Sequence, residues 1–136
     1  MQVQEVMSRN PYSADATTTI AQVMRLIAEA DVRHVPIVDE GALVGIVSDR
    51  DLRGLMPSVL DELDRPRDVR RTFAQPVTTI MSSDVLSTYP ESDLAEAVDL
   101  MIEWRIGAIP VVEPDSLKLV GIISYVDALR AARDLL

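Results

Sequence analysis

Apolar positions recur along the chain with two periods. Ile20, Val23, Met24 and Ile27 fall at the i, i+3, i+4, i+7 spacing of one helical face, and Leu94, Ala97, Val98, Met101 and Ile102 repeat it. These stripes predict helices near 19–31 and 93–105. Thr19 with Gln22, and Asp93 with Glu96, stand where an N-cap and its reciprocal partner would. Val35 to Val38 and Ile109 to Val112 are short and β-branched and carry a proline that cannot donate to a ladder, so they predict buried strands. Leu43 to Val47 and Leu119 to Ile123 predict a second strand after each, and the short connections between them imply antiparallel hairpins. A helix follows each hairpin, Asp49 to Met56 and Tyr125 to about Asp134.

The same elements are written twice. Pro36 and Pro110 stand 74 positions apart, as do Met7 and Met81, while Gly45 and Gly121 stand 76 apart; two residues are inserted in the second copy between Glu113 and Leu119. Val3 to Met7 matches Val77 to Met81 as an opening segment, and Ser13-Ala14 matches Ser87-Thr88. Such repetition fixes the organisation. Residues 1–56 form the first repeat, 57–76 a connector and 77–136 the second repeat, each repeat running strand, helix, strand, strand, helix. The fold class is α+β, with small sheets packed against helices and the repeats related by a pseudo-two-fold axis. At 136 residues the chain can bury one ordinary core, and the repeat favours a core shared between the halves. The connector keeps Val59, Leu60, Leu63, Val69 and Phe73 among its charges, which predicts one or two short helices packed on the outside.

Composition narrows the chemistry. A net charge of −9 argues against the phosphate neutralisation that dominates nucleic-acid binding. Lys118 is the only lysine among thirteen basic residues; arginine forks suit phosphate and carboxylate, although genome composition produces the same bias. Without cysteine there is no disulfide framework, thiolate metal site or cysteine nucleophile. No apolar run approaches the roughly 20 residues of a membrane helix. Met1 to Glu5 lacks the basic and apolar regions of a signal peptide, so a soluble cytoplasmic protein is expected.

Ser48-x-x-Asp51 and Ser124-x-x-Asp127 each follow a predicted strand and open a predicted helix. A serine with an acid three residues on is a capping box. The same turn presents unpaired N–H groups to a ligand, and its carboxylate can accept both hydroxyls of a ribose while the serine bonds a sugar or phosphate oxygen. The two uses are compatible, and the motif alone does not choose. His34, the only histidine, has no nucleophile at a recognisable motif and no companion metal ligand, which leaves phosphate contact or an ordinary half-exposed side chain. Trp104 suits core or dimer packing more than base stacking. Tyr125 suits adenine stacking or a solvated helix start. The alternating charges of Asp61 to Arg71 are a solvated face. Gly-rich phosphate loops and paired catalytic carboxylates in a defined motif are absent, so no enzyme is expected.

The doubled pattern of an apolar-Pro-apolar-apolar-acid strand followed by Gly-apolar-apolar-Ser-x-x-Asp closely resembles a tandem pair of CBS (cystathionine-β-synthase-type) domains, a Bateman module, over residues 3–56 and 77–134. The resemblance implies a stand-alone module that dimerises through its helices and binds AMP, ADP or ATP in clefts between the halves, with S-adenosylmethionine and NAD ranked behind them and no required cofactor or metal. Residue by residue, it implies that Asp51 and Asp127 hold ribose hydroxyls and that Ser48 and Ser124 contact ribose or phosphate. Ser13, Ala14, Ser87 and Thr88 would line the adenine pockets, with Val35, Pro36, Ile109 and Pro110 supplying backbone groups and apolar walls and Tyr125 beside the base.

The copies differ in their phosphate partners. Arg33 and His34 precede the first strand proline, whereas Gly107 and Ala108 precede the second. By the resemblance these residues face the site built on the opposite repeat, so the Asp127 site, with Arg33 and His34, is expected to bind phosphate better. The Asp51 site would depend on Arg50, Arg53 or Arg105. The expected function is a ligand sensor, a homodimer signalling to an unnamed effector protein, with no nucleic acid and no membrane. The alternative is a structural dimerisation protein of the same fold that binds no nucleotide.

Overall fold

The computed structural model describes residues 1–136. Its elements run β1 (Ser8–Arg9), β2 (Ala14–Asp15), α1 (Ile20–Ala30), β3 (His34–Asp39), β4 (Ala42–Ser48), α2 (Asp49–Arg53), α3 (Met56–Asp61) and α4 (Pro66–Ala74), then α5 (Leu94–Trp104), β5 (Ala108–Val112), β6 (Leu119–Ser124) and α6 (Tyr125–Leu135). The two amphipathic stripes become α1 and α5, which bury Ile20 and Val23 in one case and Ala97 and Met101 in the other. Each helix ends on a left-handed residue at φ 53°, Asp31 and Arg105. A single αL residue after the last turn satisfies free carbonyls at a helix end.

Two local expectations change. Thr19 and Gln22 form a complete capping box, but the Asp93 side chain caps nothing. The Leu94 N–H instead donates to the carbonyl of Met1 at 2.8 Å, and the Asp93 carboxylate faces the terminal ammonium at 4.0 Å. The helix expected to reach Met56 stops at Arg53. Pro57 has no N–H for the Arg53 carbonyl and its ring would crowd it, so the chain turns and restarts as α3. The opening segments are single 3-10 turns, Val3–Glu5 and Val77–Thr79. Only Ser8–Arg9 follows the first as a strand.

Packing divides the chain into two units, one of Met1–Pro11, Glu40–Leu43 and Leu86–Leu136, the other of Tyr12–Asp39 and Val44–Val85. In the first, β6 lies between β1 and β5, with Ser8 opposite Ile122 and Ile109 opposite Ile123, both pairs antiparallel. Its core gathers Val3, Met7, Ala97, Met101, Ile109, Val111 and Ile123. In the second, β3 lies between β2 and β4, with Ala14 opposite Ile37 in parallel and Ser82 bridged to Ile46. Its core gathers Ala14, Val23, Val35, Ile37, Val47 and Val77. The single shared core therefore gives way to two cores, each completed by the opening segment of the other repeat. Full burial of Val3 or Val77 is worth about 1.5–3 kcal/mol, enough to anchor a short segment.

A glycine in each unit admits the exchanged segment. A Cβ on Gly121 would stand 2.6 Å from Met7 Sδ and 3.0 Å from the Ser8 carbonyl. Gly45 meets Met81 and Ser82 in the same way. Trp104, expected in a core or a dimer, is 59% exposed and belongs to neither core. The connector forms α3 and α4, and α4 packs on α1.

Candidate functional site

Each Ser-x-x-Asp turn sits where an apolar strand hands over to a helix. Ser48 ends β4 and caps α2; Ser124 ends β6 and caps α6. In the first turn, Asp51 Oδ2 accepts the Ser48 N–H at 2.8 Å and the Ser48 hydroxyl at 3.1 Å, and the Asp51 N–H donates to Ser48 Oγ at 3.2 Å. The second repeats this at 2.9, 3.0 and 3.2 Å between Ser124 and Asp127.

These bonds leave a defined set of free valences. Every bond that each carboxylate accepts falls on Oδ2, so each Oδ1 is left to accept from outside the turn. Each serine hydroxyl gives its proton to the carboxylate and accepts one N–H, which leaves it a single acceptor position. Both side chains therefore offer acceptors and no donor. That suits the hydroxyls of a sugar and does not suit the oxygens of a phosphate.

The unit of residues Tyr12–Asp39 and Val44–Val85 holds Ser13, Ala14, Arg33, His34, Val35, Pro36, Ser48, Arg50, Asp51 and Arg53; the other holds Ser87, Thr88, Arg105, Ile109, Pro110, Ser124, Tyr125 and Asp127. The side chains of Val35 and Ile109 lie in the two cores and are fully buried, so what these residues present is main chain. The paired segments hold corresponding places: Ala14 lies opposite Ile37 and Thr88 opposite Val111, both in parallel. Thr88 is the one buried polar residue, held by main-chain bonds to Pro110 and Val112 at 3.0 and 2.9 Å. Its counterpart is Ala14, so only one copy carries a hydroxyl at this position. Arg50 and Arg53 are exposed on α2, and Arg105 is exposed at the end of α5.

Burial lowers the His34 pKa from its ordinary 6.5, the carboxylates of Asp49 and Asp51 oppose that shift, and the Arg33 guanidinium adds to it. His34 therefore lies within the field of its own unit's Asp51. The Arg33 carbonyl accepts the Asp49 N–H at 3.0 Å, which ties the start of α2 to the start of β3.

Asp127 borders a groove of about 430 Å³ along α6, lined also by Glu5, Val6, Arg130 and Asp134. Sequence reasoning missed Arg130. Its signal was the i, i+3 spacing from Asp127, which puts both on one side of a helix. The corresponding position in the first repeat is Gly54, so a cation three residues after the aspartate occurs in one copy only. Acids Glu5 and Asp134 share the groove with it.

Comparison with known proteins gives a consistent picture. The family model of the CBS domain matches twice, at residues 3–58 and 77–134. An uncharacterised 33.4 kDa protein from the ribosomal RNA operon of Thermofilum pendens is 36% identical over 114 residues, 80% of this chain and 38% of that protein. The chain thus spans well under half the length of that relative. The crystal structure of an AcuB protein of Vibrio cholerae is 35% identical with a TM-score of 0.82, covering 99% of this chain and 92% of that one. The structure of CBSX2 in complex with AMP is 28% identical with a TM-score of 0.82, covering 98% and 97%.

Proposed function

The chain belongs to the CBS-domain family, and from that premise we propose that it is a regulatory module that binds an adenosine nucleotide without turning it over. The observation that carries the reading is the open Oδ1 on each capped aspartate. It is an anionic acceptor fixed at a helix start, the group a vicinal diol needs. The AMP complex of CBSX2 supports an adenosine ligand.

Asp127 holds the better site. Arg130 supplies one cation beside it, while Glu5 and Asp134 disfavour a long polyphosphate, so AMP binds ahead of ATP. Ser87 and Thr88 border the base, with the Thr88 hydroxyl as the polar contact that Ala14 lacks. Asp51 and Ser48 form the weaker site, with Arg50 and Arg53 on its own helix as candidate cations. Binding acts on a homodimer whose packing a separate effector protein reads. A ligand shifts such an equilibrium only by its differential affinity for the two arrangements.

A thermal-shift series with AMP, ADP, ATP, NAD and S-adenosylmethionine tests the reading. At a hundred times its dissociation constant a specific ligand stabilises by about 2.7 kcal/mol. Mass spectrometry of whatever small molecule is released on denaturing the purified protein identifies the natural ligand. No shift with any of the five, together with no released nucleoside, overturns the proposal.

A further inference from the structure

The connector sorts its charges in space, although they alternate in sequence. On α4 the half-buried positions are Asp68, Val69, Thr72 and Phe73, the side of a helix that packs on α1. Arg67, Arg70 and Arg71 stand at i, i+3 and i+4 on the opposite side, and all three are exposed.

The acids of the segment do not answer these arginines. Asp64 and Asp68 both pair with Arg65, at 3.8 and 3.4 Å, and Glu62 accepts the Thr72 hydroxyl at 3.0 Å. Arg67, Arg70 and Arg71 enter no ion pair. Like charges at helical spacing cost a few tenths of a kcal/mol, about 0.2–0.5 per pair, so the cluster does nothing for the helix that carries it.

Apolar side chains adjoin the cluster. Leu60 and Leu63 are 63% and 62% exposed, while Val59 is buried. The Glu62–Thr72 bond ties the end of α3 to the last turn of α4, so the leucines and the arginines belong to one helical hairpin. Exposed leucines beside unpaired arginines mark an interaction surface. Neither repeat accounts for it, because the family matches cover residues 3–58 and 77–134 and leave all five side chains outside.

Charge and shape select the occupant. A guanidinium fork takes a carboxylate or a phosphate at two points. The net charge of −9 repels an extended polyanion such as nucleic acid or an anionic bilayer, whereas a short acidic segment meets the local cations alone. The leucines add a demand for apolar side chains beside the acids. A helix with carboxylates three and four positions apart and leucine-like residues along their edge meets both demands.

We infer that the α3–α4 hairpin is the docking surface of the effector, and that the element it takes is an acidic amphipathic helix of another protein. The inference rests on the effector of the proposed function and is independent of the nucleotide. Fluorescence anisotropy tests it with a labelled amphipathic peptide of about 15 residues, glutamates on one face and leucines beside them. The wild type should bind it saturably, and more weakly as salt rises. The double variant Arg70→Glu/Arg71→Glu should weaken binding at least tenfold and should prefer the same peptide with lysine in place of glutamate. Leu60→Ser/Leu63→Ser should weaken it severalfold, and Arg133→Glu, on the exposed face of α6, should leave it unchanged. All these positions are exposed, and circular dichroism checks that each variant is folded. No binding of the peptide overturns the inference, as does binding that survives Arg70→Glu/Arg71→Glu or falls equally with Arg133→Glu. Tighter binding of a single-stranded DNA oligonucleotide or of phosphatidylglycerol vesicles also overturns it. A protein that binds the peptide but not AMP would count against the nucleotide reading and leave this surface standing.

Discussion

Replacing Asp127 by asparagine separates two duties that the aspartate performs at once. The amide oxygen can take the place of Oδ2 and accept the Ser124 N–H and hydroxyl, now at 2.9 and 3.0 Å. The outward atom, however, changes from a carboxylate oxygen to an NH2 group with no lone pair for a hydroxyl proton. The helix loses a negative charge at its N-terminus, about 0.3–1 kcal/mol of stability. The ligand loses at least one hydrogen bond to a charged acceptor, about 1.5–3 kcal/mol, or roughly a 10- to 150-fold rise in dissociation constant. Ser124→Ala should do the converse, costing about 1 kcal/mol of stability by removing the cap, with a smaller loss of affinity. Calorimetric titration with AMP and thermal melting of the same samples read both quantities. If Asp127→Asn binds AMP as tightly as the wild type, the carboxylate is only a cap and the ribose assignment fails.

Further changes probe the frame around that site. Gly121→Ala should cost about 1–3 kcal/mol because its methyl enters the space of Met7 and the Ser8 carbonyl. Met7→Ala alone should cost about 2–5 kcal/mol, and the double variant clearly less than the two together in denaturant unfolding; additive costs would show that the methyl and the thioether do not compete. The His34 pKa is lowered in the folded protein, so the unfolded chain takes up the proton more readily; stability from this group is complete above 6.5 and is lost as pH falls through the lower folded value. Melting from pH 8 to 5 should therefore fall less steeply for His34→Gln than for the wild type, and equal slopes would contradict the assignment. Thr19→Ala should cost about 1 kcal/mol, whereas Asp93→Ala at the matching position should stay near zero, measured by chemical denaturation.

Much of this was legible in the residues because it is local. The period of Ile20 to Ile27, the doubled Ser-x-x-Asp and the short hairpin connections each depend on neighbours a few positions away. The destination of the opening segments does not. Met7 meets Gly121 and Met81 meets Gly45, but both methionines and both glycines belong to matching repeats, so the pattern fits pairing within a repeat as well as exchange between repeats. Only the three-dimensional course of the chain distinguishes them. Asp93 misled for a related reason: the residue suits a cap, yet the Glu96 N–H donates to the Asp93 carbonyl at 3.1 Å while the carboxylate faces the terminal ammonium. Arg130 escaped notice because its meaning comes from a groove that Glu5 and Val6 help to build from the far end of the sequence.

The crossed opening segments also set a timetable for biosynthesis. Val3 and Met7 leave the ribosome long before Ile109 and Ile123, the residues they will lie against, have been made. The core of the first repeat must in turn wait for Val77. Closing loops of this length costs entropy that grows only slowly with length, but it has to be met before the contacts return anything. The nascent chain therefore carries Val3 and Met7 unsatisfied until Ile109 and Ile123 have been made. Two fragments severed within residues 57–76 would then behave as complementary pieces, each poorly folded by itself and each supplying the template on which the other closes.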